Sequence, residues 1–152
     1  MATRDRAVAS TPEVSRRMKR VRQKNTSAES GLRRELFARG LRYRIHVPVL
    51  AKPRRVADIA FFGPRVIVFV DGCFWHGCPL HATWPKTNAA FWRAKILGNM
   101  ERDRDTDRRL ERDGWVVVRV WSHELPDRAA ERIAKIVEKR KQKRPKRTAA
   151  ER

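Results

Sequence analysis

Apolar and polar positions divide the chain into short runs of two periods. Val14, Met18 and Val21 recur at helical spacing in a very basic segment from Glu13 to Lys24, and Ala28, Leu32 and Leu36 do so again downstream; residues three, four and seven apart share one helix face. Thr26-Ser27-Ala28-Glu29 has the spacing of a capping box, which starts the second helix near Thr26, and Gly40 is its natural stop. Leu41–His46 reads as a first strand, followed by a loop bounded by Pro48 and Pro53. Val56–Phe62 and Arg65–Asp71, around Gly63-Pro64, are almost continuously apolar, which predicts two strands of a sheet covered on both faces. Residues 72–87 show no period. Asn88 is placed to cap a long helix reaching Gly114, with Gly98 a candidate break. Trp115–Trp121 is a further apolar strand, and Pro126 opens a last helix with Ala129, Ile133, Ile136 and Val137 inward, which gives way near Lys139 to a basic tail.

This alternation predicts an α/β fold with a central mixed β-sheet flanked by helices. The 152 residues suit one domain, placed at 13–138, between a flexible N-terminus (1–12) and a basic disordered tail (139–152). No apolar run approaches the roughly 20 residues that span a bilayer, and the first ten residues lack the apolar stretch of a secretory signal, so a cytoplasmic location with no membrane partner is expected.

Charge narrows the partner. Lys and Arg number 37 against 17 Asp and Glu, a formal charge of +20. Residues 1–26 and 138–152 each carry eight cations and two acids. Basic ends on a basic domain point to a polyanion, nucleic acid first, because Lys and Arg neutralise phosphates and release counterions; the bland alternative is a solvated basic surface.

The irregular segment holds both cysteines, in Cys73-Phe74-Trp75-His76-Gly77-Cys78-Pro79-Leu80-His81. A disulfide closing so short a loop requires an oxidising compartment, of which the chain shows no sign. Zinc accounts for more: Cys73, Cys78 and His81 supply three ligands within nine residues, and a structural site takes a fourth. His123 follows the Trp115–Trp121 strand, and a parallel neighbour reached through a helical crossover brings the ends of two strands together. The expected site is therefore Zn²⁺ on Cys73, Cys78, His81 and His123, closed by four protein ligands and hence structural. The alternative is two buried thiols with two incidental histidines.

Asp58 interrupts an apolar strand, where a charge is costly unless paired or bound to metal. A hairpin brings Asp58 towards Val70 and Asp71, with His76 arriving from the cysteine loop. Carboxylates beside an imidazole suit Mg²⁺-assisted phosphodiester hydrolysis. Blander readings stand beside this one: an ion pair of Asp58 with Arg54 or Arg55, a turn at Asp71-Gly72, a packed or zinc-supporting His76, and a purely capping Glu29.

At Val68-Phe69-Val70-Asp71-Gly72-Cys73-Phe74-Trp75-His76-Gly77-Cys78-Pro79 the chain resembles the very-short-patch repair (Vsr) DNA mismatch endonucleases. The likeness continues at Phe91-Trp92, Lys95-Ile96, Asn99, Arg102-Asp103, Gly114-Trp115 and Val120-Trp121, and upstream at Ser15 to Met18 and Thr26 to Glu29, covering about residues 13–125. It implies a PD-(D/E)XK-type nuclease fold that nicks duplex DNA beside the T of a T·G mismatch. It puts Asp58 at the magnesium-binding aspartate, Val70 as a backbone-carbonyl ligand, His76 as general base and Glu29 as a supporting acid; it also carries over the four zinc ligands. Phe74, Trp75 and Trp92 match aromatic wedges entering the base stack from the major groove, and Met18 an apolar side chain entering the minor groove. Lys95, Asn99 and Arg102 are further DNA-binding positions that the resemblance implies. Without it, Trp92 reads as ordinary helix core. The chain departs from the pattern at Asp71, where some members carry a second catalytic histidine and where a catalytic acid is expected here. It departs again at Ala57 in place of a proline, and in a spacing one residue longer after Cys78.

The expectation is thus a bacterial-type, nucleoid-associated, monomeric endonuclease using Mg²⁺ for catalysis and Zn²⁺ for structure, acting on T·G-mismatched duplex with other DNA repair proteins as further partners. The competing expectations are a related nuclease indifferent to mismatches, and a zinc-supported DNA-binding module without catalysis.

Overall fold

The computed structural model describes residues 26–72, 78, 80 and 86–143. Helix α1 (Ser27–Ala38) starts as its capping sequence requires, with the Glu29 N–H donating to Thr26 Oγ1 at 3.2 Å. It ends in Gly40 at φ 80, a left-handed conformation that suits glycine. Strands β1 (Arg44–Leu50), β2 (Arg55–Phe61) and β3 (Val66–Asp71) form an antiparallel run, and helix α2 (Ala89–Arg112) crosses to β4 (Val116–Trp121), which pairs parallel with β3. Helix α3 (Pro126–Lys143) completes the described chain. The sheet order β1-β2-β3-β4 makes it mixed, as expected.

Strand periodicity then sorts the side chains into two layers. Val66 and Val68 of β3 and Val118 and Val120 of β4 join Leu32 and Leu36 of α1 and Ala129, Ala130, Ile133 and Val137 of α3 in one cluster. Ile67 and Phe69, on the opposite face, pack with Ala57, Ala60 and Leu110 of α2. Both faces are covered, which is why β3 reads as an unbroken apolar run. Burying a leucine such as Leu32 or Leu36 contributes about 1.5–3 kcal/mol.

Four local expectations are corrected. The first strand runs on to Leu50 through Pro48, because β1 is a sheet edge and a proline lacking N–H is tolerated there. Helix α2 continues unbroken through Gly98; burial of Trp92, Ile96 and Leu110 along it offsets the cost of one glycine, about 1 kcal/mol. Asn88 occupies the N-cap of α2 but makes no side-chain cap; it adopts φ 55, which Asn tolerates better than most residues. Helix α3 extends past Lys139 to Lys143, carrying Arg140, Lys141 and Lys143 in its last turn, where cations suit the helix dipole. The segments 1–12 and 13–24 lie outside the described residues, as does the tail beyond Lys143. No described helix is long and apolar enough to cross a membrane.

Candidate active site

Asp58 sits in β2 with its Oδ2 accepting the Val70 N–H at 2.7 Å, the β2–β3 approach the sequence anticipates. Burial is the main influence on this carboxyl and pushes it up to about 6. The Val70 N–H and His46 pull the other way, while Glu29 and Asp71 add negative charge that raises it further. Elements α1, β1, β2 and β3 thus all contribute to one electrostatic neighbourhood. The ion-pair alternative does not describe Arg55, whose Nε donates to Thr106 Oγ1 at 3.1 Å and whose Nη1 donates to the Arg54 carbonyl.

Glu29, in the first turn of α1, is only 3% exposed. Its backbone completes half of the capping box, and its Oε2 stands 3.6 Å from Nε2 of His46 in β1. Capping and site placement are therefore compatible roles of one residue, the first for its N–H and the second for its carboxylate. Asp71 ends β3 with both carboxylate oxygens accepting from Arg119 Nη1, at 3.1 and 3.0 Å. The same guanidinium reaches Asp107 of α2 at 2.7 Å and Asp103 at 3.6 Å, and it lies over the Phe69 ring. Burial alone would lower the Arg119 pKa; Asp107, Asp71 and Asp103 more than reverse that and hold it above its ordinary range.

Of the four residues expected to hold zinc, Cys78 and His123 lie among the described residues. Cys78 is 1% exposed, and its Sγ lies 3.7 Å from Nδ1 of His123, whose ring is nearly parallel to that of Trp121. The parallel register of Asp71 with Trp121 delivers both strand ends to this place. Ligands of one tetrahedral zinc, at about 2.3 Å for sulfur and 2.0 Å for nitrogen, stand roughly 3.5 Å apart, so the pair fits the group. Cys73 and His81 lie outside the described residues. Among the described residues alone, no three of His, Cys, Asp and Glu form a metal cluster.

His76, Phe74, Trp75 and Met18 also lie outside the described residues. Trp92, 8% exposed, occupies the first turn of α2 with its ring edge-on to Phe91 and Lys95 Nζ 6.0 Å from its centre. That is the helix-core position. Lys95 and Arg102 are exposed on α2, and Arg102 Nη2 donates to Asn99 Oδ1 at 2.9 Å.

Two participants were missed from sequence. Arg119 carries the signal that exposed Asp58, a charge inside an apolar strand. His46 follows from pairing: Ile45 faces Ile59 and Val47 faces Ala57, which sets His46 opposite Asp58.

Residues 8–81 match a family model described as DNA mismatch endonuclease Vsr. The chain is 44% identical over 116 residues to the type II nicking enzyme V.NaeI of Lentzea aerocolonigenes, covering 72% of this chain and 68% of that one. It is 32% identical over 142 residues to the type II nicking enzyme V.HpaIIP of Haemophilus parainfluenzae, covering 86% and 95%. To the DNA mismatch endonuclease Vsr of Escherichia coli (strain K12) it is 36% identical over 117 residues, covering 75% and 72%.

Proposed function

Because this chain belongs to the Vsr family of DNA mismatch endonucleases and is a DNA endonuclease, we propose that it nicks duplex DNA beside the T of a T·G mismatch, with Mg²⁺ as catalytic cofactor and Zn²⁺ as structural one. Membership removes the non-catalytic DNA-binding reading. The observation that carries the proposal is the half-buried Asp58 carboxylate, fixed by the Val70 N–H and with the acids Glu29 and Asp71 in its electrostatic neighbourhood.

Asp58 and the Val70 carbonyl would hold Mg²⁺. The fit is chemical: a hard divalent cation takes oxygen ligands, and positive charge here would offset the burial cost that chiefly raises the Asp58 pKa, along with the lesser repulsion from Glu29 and Asp71. Bound there, Mg²⁺ would supply compensation of the phosphate charge and Lewis acidity towards the attacking water. The chain's own groups do the rest. Glu29 supplies supporting negative charge from α1, and His76 accepts the proton of the attacking water as its oxygen bonds to phosphorus; the P–O bond to one sugar breaks, and the departing sugar oxygen keeps the electron pair and takes a proton from solvent. Asp71, tied to Arg119, anchors the end of β3 next to Val70 and contributes charge to the site. Cys73, Cys78, His81 and His123 would close a four-ligand zinc site that braces the His76 loop; the short Cys78–His123 separation supports this.

For recognition, Phe74, Trp75 and Trp92 wedge into the stack and Met18 enters the minor groove, with Lys95, Asn99 and Arg102 of α2 along the DNA. A wobble pair is less costly to unstack than a matched one, which converts insertion into selectivity. The enzyme acts as a monomer in the cytoplasm, with other repair proteins downstream.

One observation favours a second reading, nicking without mismatch preference: Trp92 is buried in α2, so its use as a wedge requires it to leave that position. Labelled duplexes identical except for a central T·G or T·A pair separate the two. The proposal expects Mg²⁺-dependent nicking of the T strand in the mismatched duplex, abolished by chelation. Equal cutting of both duplexes overturns the mismatch claim.

A further inference from the structure

His46 has a set of features that the mechanism above does not use. It lies inside β1, yet its backbone adopts φ 49, a left-handed conformation unfavourable for most residues bearing a Cβ. The pairing is even on either side, Ile45 opposite Ile59 and Val47 opposite Ala57, so the kink occurs directly across from Asp58 without shifting the strand. Its Nε2 is buried and makes no hydrogen bond. That nitrogen stands 3.6 Å from Glu29 Oε2, just beyond hydrogen-bond reach, on a carboxylate that is itself almost fully buried.

These features oppose folding. A left-handed residue in a strand is unfavourable, and so is a buried nitrogen left unpaired. A histidine that only packed would relax towards ordinary strand geometry and seat its nitrogens on partners. Both departures bring one imidazole nitrogen to face the acid of α1, next to the acid of β2.

We propose that His46 is a positioning residue of the nuclease site: its imidazole, aimed by the left-handed kink in β1, holds the Glu29 carboxylate beside Asp58. The inference rests on the site roles of Glu29 and Asp58 proposed above. In free enzymes such contacts are commonly long and tighten once substrate is bound, which accounts for the 3.6 Å separation. His46 also gives direction to a carboxylate borne on a different element from the nucleophilic centre. The first turn of α1 fixes where the Glu29 backbone lies, whereas His46 fixes where its oxygens point.

The test uses the full chain and the duplex that the unmutated protein nicks fastest. His46→Asn suits the left-handed backbone, which Asn tolerates, but its short side chain withdraws from Glu29. His46→Gln restores an amide donor at closer to the original reach. Single-turnover nicking is expected to fall about 10- to 100-fold in His46→Asn, the range for residues that orient a site's ligands. Duplex affinity should stay unchanged, and most of the rate should return in His46→Gln. Combined with Glu29→Gln, His46→Asn should add no further loss, because both changes remove one interaction. A full rate in His46→Asn, or losses that multiply in the double variant, overturns the inference. So does full activity of Glu29→Gln, which would leave nothing to position. Since the substrate is chosen by the protein's own preference, failure of T·G selectivity counts against the proposed function and leaves this comparison readable.

Discussion

At Asp58 the carboxyl gains a hydrogen bond from Val70 but loses water, and the loss is the larger influence. With its folded pKa near 6 against 3.8 unfolded, the sign of its effect on stability is set. Well below 3.8 the group is neutral in both states and costs nothing. Between 3.8 and about 6 the unfolded chain ionises first, so folding becomes less favourable as pH rises; above 6 the full cost persists. Asp58→Asn keeps an acceptor for the Val70 N–H and removes the charge. Without added metal it should stabilise the protein at pH 7 by roughly 1–2 kcal/mol, allowing for partial solvent access, and the gain should fade towards pH 4. Denaturant titrations across that range measure it, and added Mg²⁺ should raise the melting temperature of the unmutated protein alone. Destabilisation by Asn at pH 7 in metal-free buffer would count against this account. Asp58 was legible in the sequence because one acid within Val56–Phe62 has no bland explanation except an ion pair. His46 was not: its role depends on a backbone kink and on strand register, and neither leaves a mark in composition or period.

Among the elements, β4 and α2 are joined to β3 through Arg119. The guanidinium neutralises Asp71 from its own sheet and Asp103 and Asp107 from the helix above. Arg119→Ala leaves three acids facing one another in a half-buried space and should destabilise the fold by about 2–4 kcal/mol, read from urea denaturation. A loss under about 1 kcal/mol, the size of a surface pair, would mean the network is solvated. This junction shows why element types were easier to read than their ends. The apolar runs of β3 and β4 and the Thr26 cap are local signals. The continuation of β1 through Pro48 depends on which strand lies at the sheet edge, and the passage of α2 through Gly98 depends on what its buried face packs against. Both are tertiary facts. Trp92 belongs with them, since its burial within α2 was the plainer of two readings that its sequence allows.

For the whole molecule, the parallel β3–β4 pair is the organising feature: it ends on Asp71 and Trp121 in register and so brings Cys78 to His123 from 45 residues away. The expected consequence is about one zinc per chain in protein purified without chelator, by elemental analysis. Cys78→Ser should lose that metal and melt at a lower temperature; well-folded protein carrying no metal would remove the assignment. The antiparallel β2–β3 pairing on the other side of β3 places the Asp58 carboxylate next to Val70, while the +20 charge supplies attraction to the duplex. On the proposed assignment, binding and hydrolysis draw on different residues and are separable by mutation. The most direct measurement is single-turnover nicking of a T·G duplex by Asp58→Ala alongside its duplex affinity. A loss of roughly a thousand-fold or more in rate with affinity retained is the expected result. Nicking at close to the unmutated rate would contradict a hydrolytic site built around this carboxylate.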